Sequence, residues 1–234
     1  MQVFFLSGLG ADKTVFQLLD LSYCEPVFID WLPPEKNESL QNYALRLKDK
    51  FIPDDATIIG LSFGGMLATE IAKQFPSVKP ILISSAKTKS ELPRIYATGK
   101  FFPLHQWSPH NLQKWFMQRI YRIFGINSKK VLKIYEEIIR NSNPAFNIWA
   151  VDAILNWNNS DVPNNIVHIH GTHDLVLPYK YIQCNYAVKK GGHLMIMEQA
   201  EILSEFLHKV ITSNEINFST LSSSDNQSAL RYPA

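Results

Sequence analysis

Only ten of the 234 residues are glycine and only two are cysteine. Two cysteines, Cys24 and Cys184, cannot build a disulfide framework, and their apolar and aromatic neighbours suit buried thiols. An excess of either charge is also missing. Lys and Arg total 23 against 21 Asp and Glu, a net charge of +2 with no basic tract or one-sided basic helix. This argues against nucleic acid or an anionic membrane surface as a partner. No run reaches the roughly 20 apolar residues that a bilayer-spanning helix needs. The opening Met1-Gln2-Val3-Phe4-Phe5-Leu6 has neither the basic start nor the apolar length of a secretory signal. The expected setting is the cytoplasm.

What is present is a length that suits one domain with an insertion. Short apolar runs at 3–7, 26–30, 57–61, 80–84, 166–170 and 185–188 alternate with helical patterns at 14–21, 40–51, 63–74 and 200–212. Near-continuous apolar strands separated by helices point to an α/β architecture whose parallel sheet is covered on both faces. One connection is too long for a simple crossover. Nearly eighty residues separate Ser85 from Pro163, with three helical patterns. Leu112, Trp115, Phe116, Ile120, Ile123 and Phe124 line the first; Val131, Leu132, Tyr135, Ile138 and Ile139 the second; Phe146, Trp149, Ala150, Ala153, Ile154 and Trp157 the third. We expect a core from residues 1–86 and 145–212, a helical cap over 87–144, and a flexible tail over 213–234, which is rich in Ser and Asn.

The scarce glycine is concentrated. Eight of the ten lie in Gly8-Leu9-Gly10, in Gly60-Leu61-Ser62-Phe63-Gly64-Gly65, and at Gly171 and Gly191-Gly192. Glycine serves where backbone must turn with positive φ or approach another group closely, and these loops surround one serine, one aspartate and one histidine. The serine lies in G-x-S-x-G at the end of an apolar strand and the start of a helix. A serine hydroxyl attacks poorly until a base takes its proton, and a sharp strand-to-helix turn presents it to both base and substrate. The three-residue pattern alone arises by chance in roughly one such chain in a dozen, so its neighbours decide its meaning.

The chemistry also needs an acid and a base, in the order serine, acid, histidine. Asp174 follows the strand at 166–170, and His193 follows Gly191-Gly192 and the next strand. Both loops leave the same edge of the sheet as Ser62. His193 would take the Ser62 proton, and Asp174 would hold the imidazole in the required tautomer. His173 adjoins Asp174, but neighbours on a tight loop seldom aim side chains at each other. The charge that develops on the substrate oxygen needs preorganised donors: the backbone N–H of Phe63, and that of Leu9 after the first strand.

With these residues assembled, the chain resembles the α/β-hydrolase superfamily, especially small bacterial members with G-L-G-A-D, S-F-G-G-M, I-S-S-A-K, H-I-H-G-T-x-D and G-G-H, here at 8–12, 62–66, 83–87, 168–174 and 191–193. The resemblance implies about six mainly parallel strands with a helical cap before the fifth, the triad Ser62, Asp174 and His193, an oxyanion hole at Leu9 and Phe63, and hydrolysis of a carboxylic ester with no cofactor or metal. Ser7 stands where many relatives carry histidine. Two other readings remain: different chemistry on the same triad, or a catalytically silent ligand-binding relative. His168-Ile169-His170-Gly171-Thr172-His173-Asp174 is also similar to the H-x-H-x-D-H zinc motif of metallo-β-lactamase-like hydrolases. Its reversed D-H order and late position favour histidines that fill a strand face with locally satisfied nitrogens. No basic cluster adjoins the three loops and the cap is rich in aromatics (Phe101, Phe102, Trp107, Trp115, Phe116, Tyr121, Phe124), so the expected partner is a small or medium ester with an apolar group.

Overall fold

The computed structural model describes residues 1–96, 109–212 and 230–231. The six apolar runs form parallel strands β1 (Gln2–Leu6), β2 (Glu25–Phe28), β3 (Thr57–Leu61), β4 (Lys79–Ile83), β5 (Val167–Gly171) and β6 (Tyr186–Val188). Their order is β2-β1-β3-β4-β5-β6. The chain winds outward in both directions from β1, so the loops after β1 and β3 lie side by side where the winding reverses. Open α/β sheets bind ligands at that crevice. The register pairs Leu6 with Gly60, ending the two strands almost level beneath it.

The helices among the described residues are α1 (Leu40–Phe51), α2 (Phe63–Gln74), α3 (His110–Arg119), α4 (Lys129–Asn141), α5 (Pro144–Asn156), α6 (Met195–Glu198) and α7 (Ala200–Thr212). Alternation along the strands sorts them onto two faces. Phe4, Leu6, Ile58 and Leu82 pack against α1, α2 and α5, while Val3, Phe5, Ile59, Ile81 and Ile83 pack against α4, α6 and α7. Caps set where helices begin. Ser39 accepts from the Asn42 N–H, Ser128 from the Val131 N–H, and Asn143 from the Ala145 and Phe146 N–H groups, with Pro144 in the first turn of α5. None of the described helices is long and apolar enough to cross a membrane.

Three expectations change. No α-helix covers 14–21; a single 3-10 turn, Lys13–Phe16, is followed by turns. Asp12 and Asp20 side chains accept from the Thr14 and Ser22 N–H groups, so local side-chain bonds compete with the helix ladder. Val15 and Phe16 are still buried. The pattern at 112–124 is split: α3 stops at Arg119 and a 3-10 turn, Tyr121–Phe124, ends on Gly125 with φ +78°. Leu112, Trp115 and Phe116 on α3 are about half exposed. The third change is an added strand, β7 (Leu230–Arg231), antiparallel to β6 within the stretch expected to be a tail. Two residues pairing through backbone leave no periodicity to read. The remainder of 213–234, and Phe101, Phe102 and Trp107 of the expected cap, lie outside the described residues.

Candidate active site

Ser62 caps α2 with φ 50° and ψ −113°, outside the ordinary regions for a residue other than glycine. Its surroundings hold it there. A Cβ at Gly60 would lie 2.5 Å from Gly64 O, and one at Gly64 would lie 2.3 Å from Leu6 O, so helix and strand meet closer than any side chain permits. Ser85 Oγ donates to Ser62 O at 2.7 Å, and Gly64 N–H donates to Ser7 O at 3.0 Å. The buried Phe63 ring is wedged against Trp31, Phe146 and Trp149, with centroids 5.7, 6.1 and 6.0 Å away.

The structure brings together the three side chains that the sequence singled out. His193 Nε2 lies 3.0 Å from Ser62 Oγ, and His193 Nδ1 lies 2.7 Å from Asp174 Oδ2. A nitrogen facing a carboxylate carries the hydrogen, which leaves Nε2 to accept from the serine hydroxyl. Asp174 is buried, and its Oδ1 accepts from the Val176 and Leu177 N–H groups at 2.8 Å each. Burial alone would raise this carboxyl; His193, with His170, more than reverses that and holds it well below the usual carboxylate range. The group is therefore an anion at neutral pH. Together the three form a path along which a proton can leave the hydroxyl.

Leu9 and Phe63 flank the same point. A Cβ on Gly8 would sit 3.7 Å from Ser62 Cβ, which places the Gly8-Leu9 backbone directly beside the hydroxyl. Phe63 opens α2, where the first N–H groups have no partner within the helix. Ser7, in the position where relatives carry histidine, turns its hydroxyl to Ala11 O at 2.7 Å and so braces this loop from below. His173 is turned away, its Nδ1 3.0 Å from Thr172 Oγ1.

Ser62 and His193 open onto a cavity of about 300 Å³. Its wall is apolar, drawn from the end of β3 (Leu61), the turn after β5 (Leu177), α2 (Met66), α4 (Ile138, Ile139) and α5 (Ile154, Leu155). Tyr96 and Tyr135 also line it but spend their hydroxyls on backbone, donating to Val176 O at 2.5 Å and Met117 O at 2.8 Å. Burial, with the Asp174 charge, pushes Tyr96 up to about 12. The sequence read Tyr135 only as part of an apolar helix face and gave Tyr96 no role, because neither stands in a motif that marks a site. A larger groove of about 920 Å³ runs between the start of α1 and α5, but none of the three site residues borders it.

His168 and His170 do share one face of β5, their rings 5.5 Å apart. They do not converge on a common point: His168 Nδ1 lies 3.2 Å from Lys87 Nζ, and His170 Nε2 lies 2.8 Å from Leu177 O. The expectation that their ring nitrogens are satisfied locally holds for one nitrogen of each ring; among the described residues His168 Nε2 and His170 Nδ1 have no hydrogen-bond partner. Among the described residues no three His, Cys, Asp or Glu side chains are grouped as metal ligands.

Burial, then Lys87 and His170, hold His168 well below its ordinary 6.5. The unfolded chain therefore binds a proton that the folded chain refuses. Stability from this source is complete above the unfolded value and falls as pH drops beneath it, by up to ~1.4 kcal/mol per pH unit. His168→Asn, whose amide oxygen can still accept from Lys87, is expected to flatten that slope. Urea unfolding from about pH 5 to 8 measures it, spanning the range where imidazole titrates.

The sequence profile of the alpha/beta hydrolase family matches residues 3–206, and the chain belongs to that family. No curated protein matches the chain. Among solved structures it is similar to an esterase from Exiguobacterium antarcticum, at 15% identity and TM-score 0.74 over 91% of this chain and 92% of that one. An esterase from Thermogutta terrifontis matches at 15% identity and TM-score 0.69 over 90% and 89%. A meta-cleavage product hydrolase from Pseudomonas fluorescens matches at 17% and 0.67 over 92% of each. At these identities the likeness is one of fold.

Proposed function

We propose that the protein is a serine hydrolase that cleaves a small or medium uncharged carboxylic ester. The observation that carries this reading is the hydroxyl–imidazole–carboxylate chain, 3.0 and 2.7 Å long in its two links, opening on an apolar cavity. Ser62 Oγ attacks the ester carbonyl while His193 Nε2 accepts its proton. The oxygen, now negative, is held by the N–H groups of Leu9 and Phe63, donors worth about 2.7–4 kcal/mol each when preorganised. His193 then protonates the leaving alcohol as the C–O bond breaks. Water, deprotonated by the same imidazole, attacks the acyl-enzyme, and the acid departs as Ser62 regains its hydrogen. Asp174 keeps Nδ1 protonated throughout and stabilises the imidazolium.

The described part of 87–144 acts as a cap in this reading, since α4 supplies Tyr135, Ile138 and Ile139 to the cavity wall. At about 300 Å³ the cavity lies at the small end of the range for ligand pockets. Among the described residues the wall offers no Lys, Arg, Asp or Glu side chain to an ionic acyl group. Among p-nitrophenyl esters, activity is expected to be highest with short and medium chains, to fall for palmitate, and to be lowest for a succinyl ester; preference for the charged ester would overturn the substrate assignment. Elimination, acyl transfer and C–C cleavage can use the same three groups, so the products decide: hydrolysis yields free acid and alcohol in equal amounts. A fluorophosphonate that labels Ser62 separates an activated serine from a silent binding site.

A further inference from the structure

We propose that His170 is a positioning residue, which fixes the turn carrying Asp174 so that the carboxylate faces His193. This rests on the reading of Ser62, His193 and Asp174 as the reacting set. His170 is fully buried in β5, four residues before Asp174. Its Nε2–H donates to Leu177 O at 2.8 Å and lies 3.3 Å from Asp174 Oδ2, near enough for the positive end of the N–H to act on that oxygen. The Leu177 N–H in turn donates to Asp174 Oδ1 at 2.8 Å. One imidazole thus closes the turn from 174 to 177 at its far end and bears on the carboxylate oxygen that His193 uses.

A side chain that merely filled this strand face could be apolar. His170 stands here although its buried Nδ1 has no hydrogen-bond partner among the described residues, a state that carries a desolvation cost. The Nε2 side is where that cost is offset, and both groups there belong to the acid turn. Oδ2 otherwise depends on His193 for its contact among the described residues. Without His170 the peptide of Leu177 loses the bond that closes the turn, and with it the fixed placement of the Leu177 N–H that orients Oδ1. The depressed titration of Asp174 is consistent with a second donor.

Two substitutions of similar polarity separate positioning from filling. Glutamine can place an N–H near the former Nε2, whereas the amide of asparagine reaches only the former Nδ1. Using p-nitrophenyl butyrate, His170→Asn is expected to lose about tenfold or more in kcat with KM within about twofold, the order of one bond to a charged group. His170→Gln should recover most of it. In an Asp174→Asn background, His170→Asn should change the fluorophosphonate labelling rate by less than about twofold, because coupled residues do not add. Equal losses for Gln and Asn, or an undiminished loss in that background, would overturn the inference. If either variant fails to fold, long-range ¹⁵N–¹H spectra of the unmodified protein decide: a His170 hydrogen on Nε2 supports it, and one on Nδ1 alone refutes it. If Asp174→Asn itself leaves turnover intact, the reacting set is wrong; if only His170→Asn is silent, the set stands and the positioning role does not.

Discussion

Ser62→Ala is expected to lower ester turnover about a millionfold and to end fluorophosphonate labelling, with the fold intact. The magnitude is that seen when a nucleophile is removed from a set that works as a unit, leaving only binding and oxyanion stabilisation. Structure should survive because the hydroxyl's partner is His193 Nε2, an interaction that only the chemistry needs. The features that hold the elbow are the close glycines, the Ser85 bond to Ser62 O and the Phe63 aromatic cluster, and none involves Oγ. Melting temperature should stay within about 2 °C, since a surface-accessible hydroxyl contributes well under 1 kcal/mol. Mass spectrometry of the labelled peptide provides the check. Label appearing on another residue, or turnover persisting in the variant, would remove Ser62 from its role.

Asp174→Asn is expected to cost about four orders of magnitude in kcat. The amide oxygen can take over from Oδ1 and keep the Val176 and Leu177 N–H groups satisfied. The amide NH₂ then occupies the place of Oδ2 and presents a donor to His193 Nδ1. Nδ1 must become an acceptor, the ring hydrogen moves to Nε2, and the imidazole can no longer take the serine proton. Folding is retained while the tautomer is wrong, so the loss should appear in kcat at nearly constant KM. Turnover on p-nitrophenyl butyrate measures it. A loss smaller than about tenfold would mean that another group orients the imidazole.

The sheet was legible because the buried strands other than β5, which carries His168 and His170, are near-continuous apolar runs, and their ends fell within about two residues, the usual uncertainty of a boundary. The meeting of Ser62, Asp174 and His193 was legible for a related reason. All three follow strands at the same edge, and the glycines beside them mark where backbones approach. The segment at 14–21 was not, since its Leu and Phe spacing suits a helix while the turns made by Asp12 and Asp20 depend on side-chain geometry. Helix α6 was too short to show any period. His170 appeared only as one of two histidines on a strand face; that Leu177 O hangs over it depends on how the acid turn folds back.

One corner of the molecule joins the inserted helices to the loop that carries His193. The ideal Cβ of Gly125 would lie 2.6 Å from Gly192 Cα, Leu194 N–H donates to Phe124 O at 2.9 Å, and Glu198 Oε1 accepts from the Asn127 and Ser128 N–H groups. The Phe124 ring rests edge-on against His193 at 5.8 Å. The inserted helices are thus riveted to the peptide that carries the imidazole. A shift of the inserted helices at this corner is therefore expected to carry the His193 peptide with it.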